Sequence, residues 1–263
     1  MQGKPEDENL TLPPSLFGSE FDELHANRVP MKETLHTIAE RAARAEDARR
    51  RRREKAIQRP AGTEFDDGIK SRERVQDLGE VLTPEREVNA MLDLVDSTCR
   101  DIRSRFLEPS CGNGNFLEEI IARKVTTISS VARSPEEYQY LLVLALTSIY
   151  GIDIDSENIL EARERMYDLV VTNYLNHTKM SEVTEQFLLV IDFVLNTNLI
   201  VGDSISGAYS ILITEFSTPE PEYFVRRIFS FGDLANRDEE SLFLPSPSQV
   251  IGKTHYLELS HVD

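Results

Sequence analysis

The sequence predicts an α/β fold, a doubly wound sheet with an N-terminal helical arm, and three observations predict it. Short apolar runs alternate with helix-period segments from residue 105 onward, the order that makes parallel strands joined by right-handed helical crossovers. A glycine-bearing turn, "LEPSCGNGNFLEEI" (107–120), joins the first of these runs to the first of these helices, where such a sheet takes its ligand. Successive runs end in acids, at Glu108, Asp153 and Asp203.

Residues 1–30 carry Pro5, Pro13, Pro14 and Pro30 among many acids with no sustained period, which reads as a flexible tail. Residues 31–60 form a basic helical arm: Ala, Glu and Arg dominate from Met31 to Gln58, and Arg59 and Pro60 stop the helix. Residues 61–263 make the folded domain, which begins with a polar connector, "AGTEFDDGIKSRERVQDLGE". In "LTPEREVNAMLDLVD", Thr83 is placed to N-cap a helix with Pro84 at its first position. Val88, Met91, Leu92 and Val95 then give that helix one buried face.

"RFLEP" reads as the first strand and 115–124 as a helix with Phe116, Leu117, Ile120 and Ile121 inward. A helix over 135–147 leads to "SIYGIDID", a buried strand, and then to a helix over 156–173 with Ile159, Ala162, Met166 and Leu169 on one side. A further helix spans 180–195, and "NLIVGD", "YSILITEF", "YFVRRIFSF" and "THYLELS" supply third to sixth strands. No internal repeat is present.

The balance of 29 Lys and Arg against 46 Asp and Glu leaves a net charge of −17. Such a chain repels nucleic acid unless its cations are clustered. Arg49, Arg50, Arg51, Arg52, Arg53 and Lys55 are the cluster, able to neutralise several phosphates with a salt-dependent affinity. The competing reading is a solvated helix face paired with the chain's own acids. Lys70, Arg72 and Arg74 extend the patch toward the glycine turn. The longest nearly uncharged run, "LLVLALTSIYGI", is too short to cross a bilayer. With two cysteines, and no charged-then-apolar leader at the start, the expected compartment is the cytoplasm. The five histidines and two cysteines have no metal-ligand spacing, so no metal is expected, and Cys111 reads as a small residue in the turn rather than a nucleophile.

Gly112 and Gly114 let backbone approach a ligand, or else simply make a tight strand-to-helix turn. Glu108 would repel a pyrophosphate but attract an ammonium or a ribose, and no third glycine stands at dinucleotide-binding spacing because Asn115, Phe116 and Leu117 follow directly. The turn therefore suits a cofactor whose near end is cationic and not phosphorylated, a description that S-adenosylmethionine fits. Asp153 can accept both ribose hydroxyls, Asp155 reads as the N-cap of the next helix, and Asp203 can accept from the adenine amino group. Each acid alone is also an ordinary cap or loop residue.

"LEPSCGNGNFL" resembles the cofactor loop of class I S-adenosylmethionine-dependent DNA methyltransferases of the adenine-N6 type, including modification subunits of restriction systems. "GEVLTPEREVNAMLDLV" (79–95) resembles the G-x-x-x-T-P turn and helix that precede that loop in the family. The resemblance covers roughly residues 70–205. It implies a Rossmann-like sheet, compact or incomplete, and cofactor contacts at Thr83, Glu108, Gly112, Gly114, Asp153 and Asp203. It also implies a role in DNA methylation within a restriction-modification or defence system.

The family's acceptor signature, a polar residue followed by Pro-Pro and an aromatic, holds the flipped base, and this sequence lacks it. "STPEPEYF" (217–224) stands at the corresponding place, with Tyr223 as the candidate stacking ring, and "LPPS" (12–15) lies far too early. The residues after Asp203 are expected to hold no separate target-recognition region. The expectation is a cofactor-binding chain that acts on DNA with a partner subunit. The alternative is a catalytically silent S-adenosylmethionine-binding or scaffold subunit, and a dinucleotide oxidoreductase is a distant third.

Overall fold

The computed structural model describes residues 83–180, 183–236 and 245–261. The tail, the arm with Arg49–Arg53 and Lys55, and the patch at Lys70, Arg72 and Arg74 lie outside the described residues.

The segment after Thr83 forms two helices, α1 (Glu85–Asp93) and α2 (Asp96–Arg100). Pro84 itself is the N-cap of α1, in extended backbone, and no side chain caps the helix, so Thr83 is not its cap. Val88 and Leu92 are buried, whereas Met91 and Val95 of the expected apolar face stay exposed.

Strand β1 (Phe106–Glu108) leads through the glycine turn into α3 (Asn115–Val131), seven residues beyond the expected end. Lys124 reads as a terminus by charge, but it is fully buried, and Val125 and Ile128 continue the inward stripe past it. Its ammonium donates to Ile102 O, Ser104 O and Ser148 Oγ at 2.6–3.2 Å. Helix α4 (Pro135–Leu146) starts where Ser134 Oγ accepts from Glu137 N, with Pro135 in the first turn.

Strand β2 (Ile149–Asp153) is buried along its whole length, as expected of a parallel strand covered on both faces. Helix α5 (Ser156–Thr178) is N-capped by Asp155, as expected, and runs past residue 173 because Tyr174 keeps packing against Phe187. Helix α6 (Glu185–Asn198), N-capped by Thr184, leads directly into β3 (Leu199–Val201). The strands pair in parallel in the order β1-β2-β3, with Glu108 opposite Gly151 and Asp153 opposite Val201.

Beyond β3 the expectation of further strands in one doubly wound sheet is corrected. Strands β4 (Leu212–Glu220), β5 (Tyr223–Ser230) and β6 (Gln249–His255) form a separate antiparallel sheet in that order. The spacing accounts for this. Only residues 202–211 link β3 to β4, with one 3₁₀ turn among them, and a parallel crossover needs about a dozen residues or more. Residues 221 and 222 alone link β4 to β5, which permits only a hairpin.

Ile149 packs into the main core with α3–α6, while Tyr150 and Ile152 join Ile211, Ile213 and Phe231 in a second cluster. Helices therefore cover one face of β2, and the start of the antiparallel sheet covers the other, together with the short α7 (Phe231–Ala235). The sixth strand lies earlier than expected, and only Thr254 and His255 of "THYLELS" belong to it. Tyr256 and Leu259, both buried, are spaced for a 3₁₀ turn, and His255 Nδ1 accepts from Leu257 N to begin one.

Candidate functional site

The turn after β1 is built by three backbone N–H donors. Cys111 N donates to Ile152 O at 2.9 Å, Gly112 N to Asp153 Oδ2 at 2.8 Å, and Gly114 N to Cys111 O at 2.9 Å. Gly112 and Gly114 both take positive φ, 52° and 80°, which glycine adopts without steric cost. Gly114 has a second reason. A Cβ there would stand 2.9 Å from Ala162 Cβ and 3.1 Å from Met166 Cε, so the glycine lets α3 lie against α5. The tight-turn role is thus real, and it does not compete with a ligand role at the same turn.

Asp153, 8% exposed, holds the turn from β2. Besides Gly112 N, its carboxylate accepts from Asp155 N at 2.9 Å and from Asn158 Nδ2 at 3.5 Å. A carboxylate offers about four acceptor sites, so about one remains for a ligand. Glu108 stands at the end of the neighbouring strand, and its Oε2 is buried with no hydrogen-bond partner. Burial, reinforced by the charge of Asp153, pushes the Glu108 carboxyl up to about 7. Asn113 Oδ1 is a second buried acceptor without a partner in the same turn. A carboxyl and an amide oxygen of this kind call for a donor-rich group. Burial, Asp153 and Glu108 together also raise the Cys111 thiol far above its ordinary range, so it stays protonated and is no nucleophile.

Thr83 reaches the turn through its backbone. Its carbonyl accepts from Asn115 Nδ2 at 3.0 Å, which fastens the Thr-Pro segment to the first residue of α3. Arg165, from α5, closes the network. Its Nη1 donates to Asn113 O and to Asn115 Oδ1, each at 2.9 Å, and its Nη2 pairs with Glu118. Asn113 Nδ2 in turn donates to Glu161 Oε1 at 2.8 Å. Sequence reading missed Asn113, Asn115 and Arg165. The available signal was Arg165 itself, a cation placed three residues after Ala162 and beside Met166 on a face otherwise expected to be apolar.

Thr83, Glu108, Gly112, Gly114 and Asp153 are therefore brought together. Asp203 lies just past the end of β3, on the next strand along, where Gly202 N donates to Asp153 O at 2.9 Å. Its Oδ1 accepts from Ile205 N and Ser206 N, both at 2.9 Å, and these bonds hold its carboxyl below the usual carboxylate range. Asp203 thus closes the turn that follows β3.

Tyr223 is not brought to this group. Strand β4 begins beside Gly202, where Ile211 packs, and runs back along the parallel strands. Its far half meets residues that precede β1: Arg105 donates to Phe216 O and Arg103 to Thr218 Oγ1. "STPEPEYF" consequently lies at the amino ends of the parallel strands, with Tyr223 edge-on to His255 and the Lys253 ammonium 4.4 Å from its ring centre. Arg49–Arg53 and Lys55 lie outside the described residues.

Among the described residues no group of His, Cys, Asp and Glu is arranged to hold a metal ion, and no helix is long and apolar enough to cross a membrane. No protein-family model matches the chain, and neither a curated protein nor a solved structure matches it.

Proposed function

We propose that this chain binds S-adenosylmethionine at the carboxyl ends of its parallel strands and serves as a DNA adenine-N6 methyltransferase-type protein of a restriction-modification or defence system. The observation that carries the cofactor reading is Glu108, a buried carboxyl oxygen without a partner, beside Asp153 at a glycine turn. A group with several N–H donors and a positive charge satisfies it, and a pyrophosphate does not. Asn113 Oδ1 adds a second acceptor for the same amino end, and the lone pair that Asp153 keeps free suits a ribose hydroxyl. The order β1-β2-β3 supports reading the sheet as one half of a compact or incomplete Rossmann-like sheet. When bound, the cofactor supplies a methyl group on a cationic sulfur. This chain's residues bind and orient it: Gly112 and Gly114 shape the turn, Asp153 holds that turn, and the Asn115–Thr83 bond brings the Thr-Pro segment alongside. Contact with DNA is assigned to Arg49–Arg53 and Lys55, through phosphates.

One observation favours the silent or scaffold reading of the same module: the segment expected to hold the acceptor base runs at the opposite ends of the strands. Under either reading a partner subunit completes any methyl transfer.

Calorimetry on the full chain tests the cofactor. Saturable heat is expected with S-adenosylmethionine and with its demethylated product, weakened about tenfold in Glu108→Gln, the loss of one charge-assisted interaction. NAD is expected to give none. Absence of binding at millimolar S-adenosylmethionine would sink the proposal, and binding of NAD instead would move the chain to the oxidoreductases.

A further inference from the structure

A cleft of about 160 Å³ opens at the other ends of the parallel strands, walled by Leu144 and Phe216 and rimmed by Arg103, Arg105, Ser148 and Thr218. Its charge runs against that of the chain. In a protein of net charge −17, the residues lining this cleft include two arginines and no carboxylate. Arg105 pairs with Glu215 at 2.9 Å, outside the lining, and Glu215 is shared with Arg227. Arg103 makes no ion pair among the described residues. Its Nη1 donates to Thr218 Oγ1 at 2.8 Å, which leaves the rest of a five-donor fork available. Behind the cleft lies the buried ammonium of Lys124, bonded to Ser148 Oγ at 2.7 Å and to Ser104 O at 2.6 Å. Ser104 stands between the two arginines in sequence, so three cations converge on one short segment, against the single carboxylate of Asp101, which accepts from Arg103 N and Ser104 Oγ.

The wall of the cleft includes the end of α4, whose last carbonyls carry partial negative charge. Those carbonyls are occupied. Leu144 O accepts from Thr147 Oγ1, Ala145 O from Ser148 Oγ and Thr147 O from the Tyr150 hydroxyl, at 2.6–3.1 Å. With its acceptors satisfied within the fold, the cleft presents donors: the guanidinium fork of Arg103, the hydroxyl of Thr218, and the N–H groups that Arg105 keeps free of Glu215 Oε1 and Phe216 O. Planar guanidinium forks match a tetrahedral oxyanion with several acceptor oxygens.

We propose that this cleft binds a phosphate group, with Arg103 as its main contact and Arg105 and Thr218 as flanking donors. The site is independent of the cofactor turn, which lies at the opposite ends of the same strands. The phosphate can be free or part of a nucleic-acid backbone, and the test separates the two.

The full isotope-labelled chain is titrated at constant ionic strength with inorganic phosphate and, separately, with a short single-stranded oligonucleotide, while the backbone amides of Ser148, Ser217 and Thr218 are followed by NMR. Saturable shifts at these amides are expected with inorganic phosphate. Arg103→Gln should weaken the affinity about tenfold, the cost of one charge-assisted contact, and Arg103→Lys should lose less. Arg100→Gln, at an exposed arginine paired with Asp96 on α2, should bind as the parent does. The same shifts with the oligonucleotide identify a nucleic-acid backbone as the source, and their absence there identifies a free phosphate; both outcomes support the site. No saturable shift with either probe, or equal affinity in Arg103→Gln and the parent, overturns the proposal.

Discussion

Glu108 shows how a ligand site opposes stability at the level of one residue. An unfolded glutamate releases its proton near 4.5, whereas the folded carboxyl holds its proton to about 7 because burial and the Asp153 charge disfavour ionisation. Between those values the folded chain binds the extra proton, so this residue's contribution to stability falls as pH rises from 4.5 to 7 and is level above. The full cost is on the order of 3 kcal/mol. Glu108→Gln keeps the shape and removes the charge. It should raise the melting temperature at pH 8, lose that advantage near pH 4.5, and at the same time weaken binding of the proposed cationic cofactor. Thermal melts of parent and variant across that range check it; parallel profiles would show that the Glu108 carboxyl releases its proton alike in the folded and unfolded chain. The buried oxygen is therefore expected to persist for what it binds, since the apo chain is better off without its charge.

Among the elements, the placement of α1 and α2 depends on one guanidinium. Arg123 of α3 is 7% exposed and reaches Asp93 and Asp96 at 2.8 Å, Glu119 at 3.2 Å and the Asn89 side chain at 3.2 Å. It thereby ties both helices of the Thr-Pro segment to the helix that begins at the glycine turn. Asp93 and Asp96 face solvent, so the loss is that of hydrogen bonds to charged groups, and Arg123→Gln should destabilise by about 1–2 kcal/mol. Amide exchange should quicken in residues 85–100 well before β2, and uniform exchange across the fold would refute a local tie. The sequence made helix α4, helix α5 and the three parallel strands legible because each carries a clean period and, in both helices, a capping side chain. It made the turn legible through Gly112, Gly114 and the acids that end the strands. The antiparallel sheet was legible only from linker lengths: the strand patterns of "YSILITEF" and "YFVRRIFSF" look alike in either kind of sheet, while a two-residue connection decides between them. Asn113, Asn115 and Arg165 escaped because their role comes from contacts made across about fifty positions in the chain, between α3 and α5.

At the scale of the whole molecule, the two ends of the parallel strands carry different chemistry, and the distance between them limits what the chain does alone. Glu108, the glycine turn and Asp153 occupy the carboxyl ends; Thr218 and the segment leading to Tyr223 meet Arg103 and Arg105 at the amino ends. A strand of five residues such as β2 spans roughly 16 Å at about 3.3 Å per residue. Methyl transfer needs the reacting atoms within about 3–3.5 Å of one another. A base stacked on Tyr223 is therefore several times too far from a cofactor bound at the glycine turn. Under the proposed function the isolated chain should bind S-adenosylmethionine but transfer no methyl group to DNA above background, and Tyr223→Ala should leave cofactor affinity unchanged. Addition of the partner subunit should bring transfer up, because that subunit supplies the acceptor pocket at the carboxyl ends. The measurement is incorporation of labelled methyl into DNA by parent and Tyr223→Ala, each alone and with co-purifying partners. Fast turnover by the isolated parent that collapses in Tyr223→Ala would mean that the hairpin swings to the other end of the sheet, and would make this chain a self-sufficient methyltransferase.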